Sequence, residues 1–156
     1  MTEVPLREAT ADDLDAIMAI EEAEFTSDAW SRTMMREEIG SRHTRYLVAD
    51  RGGDVVGYAG LLCPVGAREG DVQTIAVAAS ARRTGLGRRL LRALLAAAAE
   101  RGAREVFLEV RADNPVAQTL YRSEGFEEIG VRPAYYQPDG VDAVVMRLPL
   151  ASQETS

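Results

Sequence analysis

The stretch "DVQTIAVAASARRTGLGRRLLRALLAAAAERGAREVFLEV", residues 71–110, decides the fold. An apolar, β-branched run ends at Val77 and breaks into a loop rich in small residues, arginine and glycine. From about Gly85 to Arg101, leucines 86, 90, 91, 94 and 95 then recur at the spacing that lines one face of a helix. "AREVFLEV" returns to strand character. Strand, helix and strand in direct succession predict an α/β unit.

Upstream, a short strand over residues 4–9 gives way to Thr10, which with Asp13 forms a capping-box-like helix start. Leu14, Ile17 and Ile20 carry the helical period to about Glu24, "FTSDAWS" reads as a loop, and Ser31 caps a second helix ending near Gly40. "RYLVAD", "RGG" and "DVVGYAGLL" read as a hairpin turned by its glycines. Downstream, Asn114 caps a helix with Pro115 at its first position, and Gly125 suits its end. Strands near 126–131 and 142–148 bracket "RPAYYQPDG", in which Asp139-Gly140 signals a turn. The order β-α-α-β-β-β-α-β-α-β-β predicts an α/β protein, a mixed sheet with helices on both faces. One domain is expected over residues 1–150, and "ASQETS", 151–156, as a disordered tail.

At 156 residues the chain is long enough to bury a core without disulfides or metals. Cys63 is its only cysteine, so an internal disulfide is excluded and a buried thiol expected. There is no lysine, which removes Lys nucleophiles, Schiff bases and Walker A loops, and the single histidine, His43, reads as a surface imidazole. No His-based metal cluster is possible, and no metal is expected. No apolar run approaches the roughly 18 residues that cross a bilayer. The acidic N-terminus lacks a signal-peptide core, so a cytoplasmic protein without membrane association is expected. The net charge of −7 argues against direct nucleic-acid binding. Residues 1–40 carry eleven Asp and Glu against three Arg, whereas Arg82, Arg83, Arg88, Arg89 and Arg92 cluster around the glycine loop.

In that loop, Gly85 and Gly87 let the backbone pass close to a ligand. The helix that follows aims unsatisfied N–H groups and its positive dipole end at the same place, a pyrophosphate-binding arrangement. The third glycine of a Rossmann loop is missing. On the next strand, alternation sets Val106, Leu108 and Val110 on one face, with Phe107, Glu109 and Arg111 on the other. Read alone, Glu109 is a surface glutamate or one paired with a nearby arginine, and Tyr121 is an aromatic on the apolar face of a helix.

The pattern Arg82-x-x-Gly85-x-Gly87 directly after "TIAV" resembles the acetyl-CoA signature of the GNAT N-acetyltransferases, and the element order is theirs. "LEVRADNPVAQTLYRSEGF" resembles, piece by piece and at matching spacing, a segment of the RimI-type ribosomal-protein alanine N-acetyltransferases. The resemblance covers nearly the whole chain. It implies that the fourth and fifth strands splay apart and that acetyl-CoA lies in the gap. Ile75, Ala76 and Val77 would pair with pantetheine, Arg83, Thr84, Gly85, Leu86, Gly87 and Arg88 would wrap the pyrophosphate, and Asn114 would contact the cofactor from the next helix. It further implies that Glu109 is the proton acceptor and Tyr121 the proton donor.

The chemistry suits both assignments. An α-amino group of pKa about 8 is roughly a tenth neutral at pH 7, so a modest base suffices. An ordinary glutamate near 4.3 calls for a bridging water or a raised pKa, and the two remain open at this point. A tyrosine near 10 is protonated at neutral pH and can donate to a departing sulfur. Negative charge on the carbonyl oxygen would be met by a backbone N–H near Val77.

"RPAYYQPDG" also resembles the RimI pattern, which implies that Tyr135 and Tyr136 wall the acceptor groove. "DAWS" resembles the family's "PWS" with Ala29 in place of proline, so Trp30 lines the acceptor entrance or staples its loop to the core. The acidic first forty residues would attract a basic acceptor. Together these imply an acetyl-CoA-dependent enzyme that acetylates the N-terminal alanine of small-subunit ribosomal protein eighteen by direct transfer in a ternary complex. The alternatives are a GNAT enzyme acting on a small amine or internal lysines, and a non-catalytic acetyl-CoA-binding module. The sequence leaves the oligomeric state and the acceptor beyond its first residue open.

Overall fold

Strands buried between two helical layers must be apolar on both faces, and the central strands here are. In the computed structural model, which describes residues 3–25 and 29–150, β2 (Thr44–Arg51) and β3 (Asp54–Leu62) are buried along most of their length. With β1 (Leu6–Glu8), β4 (Glu69–Val77), β5 (Glu105–Arg111), β6 (Glu127–Tyr136) and β7 (Val141–Pro149) they form one sheet of order β1-β2-β3-β4-β5-β7-β6. Only β4 and β5 run parallel.

Helices α1 (Leu14–Glu24) and α2 (Arg32–Gly40) cover one face, packing Ile17, Ile20 and Met35 on Tyr46, Val48 and Tyr58. Helices α3 (Leu86–Glu100) and α4 (Pro115–Ser123) cover the other, with Leu90, Leu91 and Leu94 against Leu61, Val106, Leu108 and Met146. Leu95 falls on the shoulder of the α3 stripe and is half-buried, and Ala98 completes the buried face. The protein is thus α/β, with the expected element order. Among the described residues no helix is long and apolar enough to cross a membrane.

Local chemistry accounts for the helix ends. The Thr10 N–H donates to Asp13 Oδ2 at 2.8 Å, opening a 3-10 turn, Ala11–Asp13, that runs into α1. The Asp13 carboxyl is held below the usual carboxylate range, foremost by its hydrogen bonds from Arg7. Ser31 Oγ accepts from the Met34 N–H at 3.1 Å and starts α2, and Asn114 Oδ1 accepts from the Ala117 N–H at 3.1 Å and starts α4. Within the sheet Tyr46 faces Gly60, where a Cβ would lie 2.2 Å from the tyrosine Cζ. Glycine there lets the buried ring lie flat across its neighbour strand.

Two features differ from or fall beyond the sequence reading. β6 does not end near Val131: it passes a bulge and continues to Tyr136, which pairs with Val141. The Ala134 N–H donates to Asp142 Oδ1 at 2.8 Å across that bulge, and Pro133 is tolerated because β6 is an edge strand. The tail expected at 151–156, and residues 26–28 of the loop after α1, lie outside the described residues.

Candidate active site

The site begins where two parallel strands stop pairing. β4 and β5 are in register only at Glu69–Glu105, Gly70–Val106 and Asp71–Phe107, yet β4 runs on to Val77 and β5 to Arg111. Beyond Asp71 the pair splays. On the other edge of β4 the Ala78 N–H donates to Val56 O at 2.8 Å, and Ala76 is paired with Tyr58 in the same phase. Antiparallel alternation therefore commits the peptide groups of Ala76 to β3 and turns those of Ile75 and Val77 into the gap. A cavity of about 160 Å³ occupies it, lined among others by Thr74, Ile75, Leu108, Glu109, Asn114 and Tyr121.

The N-terminus of α3 stands beside this gap, with Gly87 nearest Leu120 and Val77. Thr84 Oγ1 donates to Ala81 O at 2.7 Å and tightens the turn that leads in. Gly85 takes φ +79°, a conformation that would strain any other residue, and offers no side-chain cap. The N–H groups of Leu86, Gly87 and Arg88 thus have no carbonyl partner within the helix. The arginines around them are mostly engaged. Arg82 pairs with Glu24, and Arg89 with Glu3 at 3.3 Å. Arg88 pairs with Glu124, which Arg92 also grips at 2.8 and 3.0 Å. Arg83, itself at φ 63°, makes no ion pair among the described residues.

Glu109 lies on the face of β5 opposite buried Val106, Leu108 and Val110, as alternation predicts. Its Oε2 is 2.6 Å from Arg132 Nε, close enough for an ion pair but without hydrogen-bond alignment. Tyr121 reaches the same cavity from α4, its ring edge-on to Phe126 at 6.0 Å. Burial pushes its phenol up to about 12, which keeps it protonated throughout the neutral range. A carboxylate and a neutral phenol, from different elements, thus face one space.

On the other side of Glu109, a larger cavity of about 740 Å³ is walled by Trp30, Arg132, Tyr135 and Tyr136. The two tyrosine rings meet edge-on at 5.2 Å, with Arg132 over Tyr135 and Arg111 over Tyr136. The Tyr135 phenol is raised, foremost by the charge of Glu109. Trp30 is half-buried, packs on the α1–α2 core and lines both cavities. Asn114 likewise caps α4 and lines the smaller cavity. Cys63 is fully buried and His43 exposed.

Sequence reasoning missed three carboxylates. Glu69 and Asp71 line the larger cavity, and burial is the first cause of a raised Asp71 carboxyl, with Glu69 and Glu109 adding to it. Glu21, on α1, is fully buried and lines the smaller cavity. Its signal was present, for it follows Leu14 by seven residues and Ile17 by four, a charge on the apolar stripe.

The family model for the "Acetyltransferase (GNAT) family" matches residues 14–126. The N-alpha-acetyltransferase RimI of Mycobacterium tuberculosis is 45% identical over 122 residues, 77% of this chain and 75% of that protein. The crystal structure of the ribosomal-protein-S18-alanine N-acetyltransferase from Escherichia coli superposes with a TM-score of 0.81 at 30% identity, covering 97% of this chain and 98% of that one. A GNAT superfamily phosphinothricin acetyltransferase from Sinorhizobium meliloti, solved in complex with AcCoA, gives a TM-score of 0.80 at 25% identity over 96% of this chain and 90% of that one. The splayed strands, the uncapped glycine turn and the carboxylate–phenol pair therefore stand in a chain that belongs to the GNAT acetyltransferase family, and within it to the RimI-like N-alpha-acetyltransferases.

Proposed function

We propose that this acyltransferase moves the acetyl group of acetyl-CoA onto the α-amino group of an N-terminal alanine, and that its acceptor is small-subunit ribosomal protein eighteen, modified in the cytoplasm. The observation that carries the reading is the convergence of Glu109 and Tyr121 on the cavity that opens where β4 and β5 part. The residues present fit acetyl-CoA. Ile75 and Val77 offer free peptide groups to an extended amide-bearing arm. The turn from Arg83 to Arg88 offers N–H groups to phosphates, together with the Arg83 guanidinium, which makes no ion pair among the described residues. The thioester supplies the activated acetyl group, and the chain supplies proton handling and orientation.

Glu109 accepts the proton that the amine must lose, directly or through a water, and Tyr121 donates one to the departing thiolate. The N–H of Val77, turned into the gap, is placed to meet negative charge on the acetyl oxygen. Cys63 is the only thiol of the chain and is fully buried, so it is no carrier for an acyl-enzyme, which supports direct transfer in a ternary complex. Tyr135 and Tyr136 hold the acceptor backbone, and Glu69 and Asp71 suit a basic residue following the alanine. The acidic first forty residues contribute less to steering than their composition suggests. Glu8, Asp13, Asp15 and Glu24 are already paired with arginines.

The test is acetylation of matched peptides, one starting with alanine and one with a blocked N-terminus and an internal lysine. Transfer to the first and not the second is expected. Strict preference for the internal lysine would replace this reading.

A further inference from the structure

The buried carboxylate of Glu21 is used by none of the chemistry above, yet it lines the same cavity as Glu109 and Tyr121. It leaves the middle of α1 and accepts hydrogen bonds from two sides. One donor is the hydroxyl of Tyr58, on β3, which in turn lies 3.4 Å from Thr74 Oγ1 on β4. The other is the backbone N–H of Trp30, at 2.9 Å to Glu21 Oε2. Tyr58 is fully buried and Thr74 nearly so. One carboxylate thus ties the chain entering α2 to the strand that carries Ile75 and Val77.

We propose that Glu21 is a positioning residue: it clamps Trp30 against the sheet and so fixes the wall that the two cavities share, setting how well the acceptor's first residue is held. This rests on the assignment of that wall to the acceptor. The clamp is a hydrogen-bond acceptor and needs no charge. Glutamine at this position keeps one acceptor oxygen for the Trp30 N–H. Its amide nitrogen then faces the Tyr58 hydroxyl, which can turn to accept. Alanine removes the acceptor of the Trp30 N–H and leaves the Tyr58 hydroxyl only Thr74 Oγ1, at 3.4 Å. Tyr58 removal would loosen the sheet end of the clamp and leave the Trp30 bond in place.

Trp30 is the only tryptophan in the chain, so its emission reports the clamp without any acceptor. The experiment compares Glu21→Gln, Glu21→Ala, Trp30→Ala and the Glu21→Ala/Trp30→Ala double variant. It reads tryptophan fluorescence where Trp30 is kept, and steady-state kinetics with acetyl-CoA and whichever amine acceptor the unaltered enzyme turns over. We expect E21A to red-shift the emission and raise acceptor KM about tenfold, with acetyl-CoA KM and kcat within twofold. E21Q should stay within threefold of the unaltered enzyme in every reading, with an unchanged pH profile. Because Glu21 acts through Trp30, E21A should add nothing to acceptor KM on the W30A background.

Unchanged emission in E21A, or a shift without a change in acceptor KM, overturns the proposal. So does E21Q losing as much kcat as E21A, which would make the charge itself the requirement. If E21A does not fold, E21Q and Tyr58→Phe carry the test. Y58F must raise acceptor KM by less than W30A, and a larger effect sinks the clamp. Failure of the alanine-start peptide alone contradicts the proposed substrate and leaves this clamp to be judged with another amine.

Discussion

The two sides of the splayed gap are made of different material. The side next to α3 is built from backbone: the peptide groups of Ile75 and Val77 and the first-turn N–H groups behind Gly85. Most of its arginine side chains are spent on Glu24, Glu3 and Glu124. The opposite side is built from side chains drawn from α1, β5 and β6: Glu21, Glu109, Arg132, Tyr135 and Tyr136. A backbone site binds what every substrate shares and tolerates change in its side chains. In the proposed reaction the side-chain half would carry proton transfer and selection, and would fail one residue at a time.

Substitutions should divide along that line. The largest effect is expected at Tyr121. Y121F removes the proposed general acid, a role worth about 10²–10⁴ in rate, so kcat should fall by at least about a hundredfold with both KM values nearly unchanged. Steady-state kinetics checks this. A comparable rise in acceptor KM would move Tyr121 from chemistry to binding.

Gly85 comes next, on the backbone side. A Cβ there meets nothing within 4 Å, so G85A tests conformation alone. Holding a side chain in the left-handed region costs about 1–2 kcal/mol. We expect acetyl-CoA KM to rise about tenfold and acceptor KM to stay within twofold.

The arginines sharpen the contrast further. R83A should raise acetyl-CoA KM about threefold, an effect that fades with added salt, because its charge makes no ion pair among the described residues. R88A should change it by less than twofold, because that guanidinium serves Glu124 and Ser123 of the α4 end. Equal effects would mean that side-chain charge, not backbone, holds the cofactor.

The smallest effect is on stability at high pH. Burial raises the folded pKa of Tyr121 from 10 to about 12, and Tyr46 is raised in the same direction. Above pH 10 the unfolded chain loses these protons first, so stability is intact below about 10 and declines toward 12. Thermal unfolding followed across that range should show a shallower decline in Y121F.

The same division explains what the sequence made legible. Periodicity and turn chemistry are local, so the element order, the caps at Thr10, Ser31 and Asn114, and the strand face of Glu109 could be read directly. The glycine loop was legible because a backbone site needs residues without side chains, and their spacing is printed in the chain. The splay itself was reached through resemblance, since nothing in "DVQTIAV" or "EVFLEV" tells where parallel pairing stops. The continuation of β6 through "RPAYY" is not legible locally, because the edge position that makes Pro133 harmless in a strand is a tertiary fact. Glu21 escaped notice because its hydroxyl partner is 37 residues away, and a charge on an apolar stripe has meaning only once that partner is known. The Arg132–Glu109 pair joins strands that are not even neighbours in the sheet, with β7 lying between them.

The central claim is that Glu109 and Tyr121 together perform the proton transfers of acetyl transfer without holding the cofactor. It is tested most directly by single-turnover transfer in the Glu109→Gln/Tyr121→Phe double variant, with acetyl-CoA binding measured by calorimetry on the same sample. Transfer at background and an acetyl-CoA Kd within twofold of the unaltered enzyme are expected. Transfer at the full rate with cofactor bound would contradict it.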